Sequence, residues 1–210
     1  KNIAATIRTG NPERHWQRGG EGAGLFAVKA DLLEALEAIT GAPMSAPVTQ
    51  GGPGWYHPGR SGTIAMGPKI IAQFGELHPK VLAAFDLKLP AAGFEIFLDA
   101  IPDAKSKSKA KPLFTPSPFQ AIERDFAFVV DAKVAAGEIV KAVKMADRNL
   151  IDTVSVFDVY EGKGVPEGRK SVAVAVRIQP KDATLTEAEI ETLAQKIVAA
   201  AIKLGATLRS

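Results

Sequence analysis

The stretch Ser171–Gln179, SVAVAVRIQ, alternates without a break. Val172, Val174, Val176 and Ile178 fall on one side, and Ser171, Ala173, Ala175, Arg177 and Gln179 on the other. Successive side chains of a strand point to opposite faces, whereas a helical period would mix these two sets. One face is therefore packed, and the other is left with small residues, an arginine and an amide. The run before it, VSVFDVYEG from Val154 to Gly162, is rich in β-branched and aromatic residues, and a Gly/Pro/Lys segment, KGVPEGRK, lies between the two. This is the pattern of two antiparallel strands with a flexible connection. A sheet face kept free of bulky apolar groups is a surface on which something else can lie.

The elements around this hairpin follow from the same signals. Arg124–Val130 (RDFAFVV) reads as a strand with Phe126 and Phe128 in the core. A helix follows from about Ala135 to Ala146, with Ile139, Val140 and Val143 on its apolar face. Thr186 and Glu189 stand at capping-box spacing before a helix carrying Ile190, Leu193, Ile197, Val198 and Ile202. Gly205 ends that helix, and Ala206–Arg209 makes a short last strand. The order is βαββαβ, the ferredoxin-like arrangement, with both helices on one face of a four-stranded sheet.

Upstream, Asn2–Arg8 alternates like a strand, and His15–Gly24 is a polar, Gly-rich loop. Asp31 stands as N-cap of a helix through Leu32, Leu33, Leu36 and Ile39, ended by Gly41 and Pro43. Ala42–Ser61 is loop by composition. Gly62–Met66, a Gly67-Pro68-Lys69 turn and Ile70–Gly75 form a hairpin. Pro79 opens a short helix through Val81, Leu82 and Phe85, and Phe94–Ile101 is a buried strand. The fold class is α+β, an antiparallel sheet domain followed by the ferredoxin-like one. Pro102–Pro118 holds KSKSKAK and three prolines, reading as a linker or a lysine-rich surface loop. The division falls near Thr115, giving domains 1–114 and 115–210.

With 210 residues, two domains are expected, and 46% hydrophobic residues are enough for a core in each. The chain has no cysteine, which excludes disulfides, thiolate metal sites and cysteine nucleophiles. No apolar run is long enough to span a bilayer. The chain begins with Lys1, as expected of a piece of something longer. Net charge is +3, but from Ser117 to Ser210 there are 13 Lys+Arg against 13 Asp+Glu. An anionic partner of the second half must therefore be held by local placement, not bulk charge. The surplus lies upstream, including Lys105, Lys107, Lys109 and Lys111.

Three functions suit a ferredoxin-like sheet, and the fold alone does not choose between them. RNA binding of the RRM kind needs aromatics on the central strands, where this chain offers Ala173 and Ala175. A small-molecule regulatory module of the ACT type is a second reading. A domain that docks on folded RNA by phosphate and loop contacts is a third.

The residues are more specific than the fold. SPFQAIERDFAFVVD, FDVYEGKGVPEGRKSVAVAVRIQ and TLTEAEIETLAQKIVAAAIKLGATLR resemble, in order and spacing, the ferredoxin-fold anticodon-binding domain of bacterial phenylalanyl-tRNA synthetase beta subunits. HPGRSGTI (His57–Ile64), FGELHPKVLAAFDL (Phe74–Leu87), GFEIFLD (Gly93–Asp99) and FAVKADLLEALEAI (Phe26–Ile39) are similar to the catalytic-like module of the same family. The resemblance implies a class II synthetase-like fold that does not catalyse, the chemistry belonging to the alpha subunit. It also implies an assembly of two alpha and two beta subunits. That assembly would be cytoplasmic and would join phenylalanine to its tRNA using ATP and magnesium, with no cofactor held by this part of the chain. The residues agree, since a phosphate clamp needs arginines and Gly93–Ile101 supplies none. No P-loop is present either.

His15, His57 and His78 are separated by 42 and 21 residues, without metal-ligand spacing, and the latter two precede prolines, which suits turns. For tRNA contact the resemblance points to the second domain, where cations would meet phosphate and a planar group would meet a base. The candidates are Arg124 at the start of the first strand, Tyr160 at the end of the second, and Lys163 in the loop. Arg169 and Lys170 begin the third strand, and Arg177 lies on its bare face. Placing Phe157 and Val159 toward the helices turns Tyr160 outward with Asp158.

Overall fold

The computed structural model describes residues 2–10, 16, 22–44, 46–102, 113 and 116–209. The chain divides into two compact units, Lys1–Lys111 and Pro112–Ser210. His15, Thr115 and the lysine-rich stretch 105–111 lie outside the described residues.

The first unit contains β1 (Ile3–Thr9), α1 (Leu25–Thr40), β2 (Val48–Gln50), β3 (Tyr56–Met66), β4 (Lys69–Leu77), α2 (Pro79–Ala84) and β5 (Ala91–Phe97). The strands form one antiparallel sheet in the order β1-β5-β4-β3-β2. Val28, Leu32 and Leu36, one helical turn apart, are fully buried against Ile64, Ala72, Phe74, Ala92 and Ile96 of the sheet. The helix begins at Leu25, not Asp31, because Val28 extends the apolar stripe by a turn and Gly24 supplies the extended N-cap. Asp31 lies inside the helix and binds Arg8 Nη1 at 2.8 Å. Gly41, left-handed at φ +74°, closes the helix as expected.

Two strand boundaries also differ from the composition reading. The segment 42–61 contains β2 and the first half of β3. Pairing steps from Tyr56↔Leu77 to Ser61↔Gly75, so the bulged strand absorbs His57–Arg60 without leaving the sheet. The β5 strand starts at Ala91 and ends at Phe97, followed by a short 3-10 turn, Leu98–Ala100. Its small residues have a packing cause: a Cβ on Gly93 would lie 2.5 Å from the Thr6 carbonyl oxygen.

The second unit contains β6 (Ile122–Asp131), α3 (Ala136–Ala146), β7 (Ile151–Tyr160), β8 (Arg169–Ile178), α4 (Glu187–Ile202) and β9 (Thr207–Leu208). The sheet order β7-β8-β6-β9, all antiparallel, is the ferredoxin-like one. Its core is Phe128, Val130, Ile139, Val143, Ile151, Leu193 and Ile197 with the four alternating residues of β8, all 2% exposed or less. Val140 is half-buried, and Ile202, expected on the packed stripe, is 57% exposed. The N-terminus of α4 is capped reciprocally. Glu189 N–H donates to Thr186 Oγ1 at 3.4 Å, and Thr186 N–H donates to Glu189 Oε2 at 2.8 Å. The Thr186 N–H and then its hydroxyl, both donating to Glu189 Oε2, hold the Glu189 carboxyl below its ordinary pKa. Among the described residues no helix is long and apolar enough to cross a membrane.

Candidate nucleic-acid interface

Cross-strand partners share a face, so the register sorts every strand residue of the second unit. The helix-covered face takes Ile122, Arg124, Phe126, Phe128 and Val130 of β6, opposite Ile178, Val176, Val174, Val172 and Lys170. The other face takes Glu123, Asp125, Ala127, Val129 and Asp131, opposite Arg177, Ala175, Ala173, Ser171 and Arg169. Strand β7 adds Thr153, Ser155, Asp158 and Tyr160 to that second face.

The six candidates therefore separate. Tyr160, Arg169 and Arg177 reach the open face. Lys163 stands beside them in the β7–β8 loop, and its carbonyl accepts from Tyr160 Oη at 3.3 Å. Arg124 lies on the opposite face, lining a groove against Glu191 and Gln195 of α4. Lys170 also faces the helices, and its ammonium donates to the Ala132 carbonyl at 2.8 Å. The pattern that turns Arg177 outward turns Arg124 and Lys170 inward, because the side-chain period is two. The bulge at Val156–Asp158 makes Phe157 an extra residue on edge strand β7, and it is 59% exposed instead of packing under the helices. Asp158 and Tyr160 nonetheless face outward together.

One contributor was not among the candidates. Arg209 follows β9 and donates its N–H to the Ala127 carbonyl at 2.8 Å. Two residues after Thr207, which pairs with Val129, it falls on the open face. Its guanidinium carbon lies 5.8 Å from the centre of the Tyr160 ring, within cation–π range. Tyr160 is on one edge strand and Arg209 follows the other, so the arginine crosses the row holding Ala127 and Ala173. Larger residues there would block it. The loop closes over the same corner: a Cβ on Gly162 would be 2.8 Å from Tyr160 Oη, and one on Gly164 would be 3.8 Å from an Arg209 amino nitrogen. Val129 and Ser171, though on this face, are 8% and 4% exposed, so the face is roofed at this end and bare at the other. The signal in the sequence was the parity of Arg209 relative to the last strand.

Electrostatically the face is mixed. At the Tyr160 corner, Lys163, Arg169 and Arg209 accompany Asp131 and Asp158. At the far end, Arg177 lies opposite Glu123 and 3.7 Å from Asp152, with Asp125 in the next row. The corner offers what an exposed base and its phosphate require, a ring with cations around it.

The first unit offers a different chemistry. His57 Nδ1 accepts from Gly59 N–H at 3.1 Å within the bulge of β3, and His78 Nδ1 caps α2 by accepting from Lys80 N–H at 3.1 Å, so each holds local backbone. Arg60 is engaged by Glu76 at 2.5 Å. Burial pushes the Tyr56 hydroxyl up to about 12, with the Glu95 carboxylate adding and a Trp55 hydrogen bond opposing. Among the described residues no group of three or more His, Cys, Asp or Glu side chains could hold a metal ion.

Residues 117–209 match the ferredoxin-fold anticodon binding domain model, and residues 1–98 match the phenylalanyl tRNA synthetase beta chain CLM domain model. A protein of Bradyrhizobium diazoefficiens named phenylalanine–tRNA ligase beta subunit is 52% identical over 94% of this chain and 25% of its own length. Proteins of the same name from Rhodospirillum rubrum and Brucella abortus are 48% and 47% identical, over 99% and 100% of this chain and 26% and 27% of their own. The chain thus spans about a quarter of the length of the curated relatives it matches.

Proposed function

Since this chain belongs to the phenylalanyl-tRNA synthetase beta subunit family, we propose that it supplies a tRNA-binding surface to an ATP-dependent phenylalanine–tRNA ligase, without catalysing by itself. The observation that carries the reading is the Arg209–Tyr160 stack on the open sheet face, a ring and a cation set side by side in the unit that matches an anticodon-binding domain. An unpaired base of the anticodon loop stacks on a ring such as Tyr160, while Arg209, Lys163 and Arg169 neutralise the adjoining phosphates. Arg177 is paired with Asp152 at 3.7 Å, Lys170 is bound to the Ala132 carbonyl, and Arg124 lies on the helix-covered side of the sheet; all three are peripheral to the contact.

The first unit keeps a synthetase-like sheet but spends its polar residues on turns and ion pairs. ATP, magnesium and the chemical step therefore belong to an alpha subunit, in an assembly of two alpha and two beta chains. The small-molecule regulatory alternative gains no support from the family matches. The test is a titration of the 210-residue chain with tRNA for phenylalanine at two salt concentrations. Binding that weakens as salt rises, with no charged tRNA formed when phenylalanine and ATP are added, is the expected result. Salt-independent binding, no binding, or turnover by the chain alone would refute it.

A further inference from the structure

The open face carries two carboxylates for which neither the fold nor the contact just described has a use. Glu123 and Asp125 stand on β6, both exposed, in successive rows at the end away from Tyr160. Among the described residues neither takes part in a salt bridge. The nearest cation in register, Arg177, is held by Asp152 on its other side at 3.7 Å. Asp125 faces Ala175 and Ser155 across the sheet, which neutralise nothing. At this end of the open face Glu123, Asp125 and Asp152 stand against Arg177, while Arg124 and Arg209 line the groove beside Asp125 toward α4, so the face itself carries a local excess of negative charge in a unit whose Lys+Arg and Asp+Glu counts are equal.

We propose that Glu123 and Asp125 are specificity-determining residues that repel phosphate from the bare end of the sheet and confine RNA to the Tyr160–Arg209 corner. The inference rests on the RNA-binding reading above and adds which RNA trajectories the face refuses. Asp125 is two residues along β6 from Ala127, the row Arg209 enters, and four from Val129, the row of Tyr160, or roughly 7 and 13 Å. Only the longer separation exceeds the screening length of about 8 Å at physiological ionic strength. A strand seated on the Tyr160 ring therefore feels the two carboxylates much less than one lying over them. A backbone laid along β6 and β8, where small side chains offer no steric barrier, meets them directly. The acids thus cost a correctly placed anticodon loop little and a misplaced strand much.

A competing use of the same charges is to guard a sheet edge. The short β9 pairs only with Phe128 and Val129, leaving the start of β6 unpaired beside α4, and charged residues keep such edges from associating. Two variants separate the uses. Glu123→Gln with Asp125→Asn removes charge from both roles. Glu123→Lys with Asp125→Lys keeps a charged edge but turns repulsion into attraction.

The experiment measures the affinity of the 210-residue chain for tRNA for phenylalanine and for an unrelated tRNA at low and moderate salt. Glu34→Gln with Glu37→Gln, exposed on α1 of the first unit, serves as the equal-charge control. The neutral pair should tighten the unrelated tRNA roughly three- to tenfold at low salt and the phenylalanine tRNA less than about twofold. The lysine pair should go further in the same direction, and both gains should shrink as salt rises. Equal tightening of both RNAs, the same gain from the control, or no change overturns the proposal. So does a neutral pair that self-associates while the lysine pair stays monomeric and equally selective, because the charges would then guard the edge. If the unaltered chain shows no salt-sensitive affinity for either RNA, the binding reading itself fails and this inference with it. A bound wild type with unaltered selectivity in both variants removes the inference alone.

Discussion

Replacing Tyr160 tests the corner by a route that charge cannot imitate. Stacking of a base on an aromatic ring contributes about 1–3 kcal/mol, and Tyr160 is 38% exposed. Tyr160→Ala should therefore weaken tRNA binding roughly 5- to 150-fold. Tyr160→Phe keeps the ring and its contact with Arg209, losing only an exposed 3.3 Å hydrogen bond to the Lys163 carbonyl. That bond is long and solvated, so the phenylalanine variant should stay within about threefold of the parent. Salt separates the parts further. Stacking releases no counterions, so in a plot of log affinity against log salt the Tyr160→Ala line should fall below the parent and stay parallel. Arg209→Ala should lower affinity and also flatten the slope, by about 0.7 for one single-strand phosphate contact. Fluorescence anisotropy with labelled tRNA at four or more salt concentrations would read both quantities. A Tyr160→Phe variant as weak as Tyr160→Ala, or a slope change on removing the ring, would refute the stacking role.

Other outcomes follow from the packing and the titrations. Gly93→Ala should destabilise the first unit by about 1–3 kcal/mol, seen as a lower melting temperature, because its Cβ would meet the Thr6 carbonyl at 2.5 Å. Phe128→Ala, at a fully buried position, should cost about 3–5 kcal/mol in the second unit. Because Tyr56 ionises near 12 in the folded chain instead of 10, it favours folding below pH 10, and that contribution disappears as pH rises toward 12. A phenolate absorbance titration should show a late step that Tyr56→Phe removes. Glu189 acts in the opposite sense: its lowered pKa favours folding above 4.5, and that support fades as pH falls through the folded value. In an acid melt, Glu189→Gln should flatten the pH dependence in that range.

Parity explains why some of this was readable in advance and some was not. Along β8, burial on one face forces strict alternation, so the four core residues and outward Arg177 could be assigned from spacing alone. Thr186 and Glu189 were legible for a similar reason, since a capping box is satisfied within four residues. The first unit was harder because its irregularities are set by distant backbone. Gly93 is small because β1 passes close, and His57–Arg60 stays in a strand because β4 pairs on both sides of the bulge. Asp31 carried an N-cap's composition, but it is used by Arg8, 23 positions away. The candidate interface fell between these cases. Tyr160 was placed outward correctly, yet its face depends on the extra residue at Phe157, which shifts the register by one. Arg124 and Lys170 were chosen for their charge at strand ends, and the alternation that exposes Arg177 turns both of them to the other side. Arg209 was overlooked because its role depends on Ala127 and Ala173 being small. The alanines that weaken an RRM-like reading, by leaving no ring on the central strands, open the lane through which a terminal arginine reaches a ring at the sheet's far edge. A bulky substitution at Ala173 should therefore disturb RNA binding by displacing Arg209, even though position 173 supplies no polar group of its own.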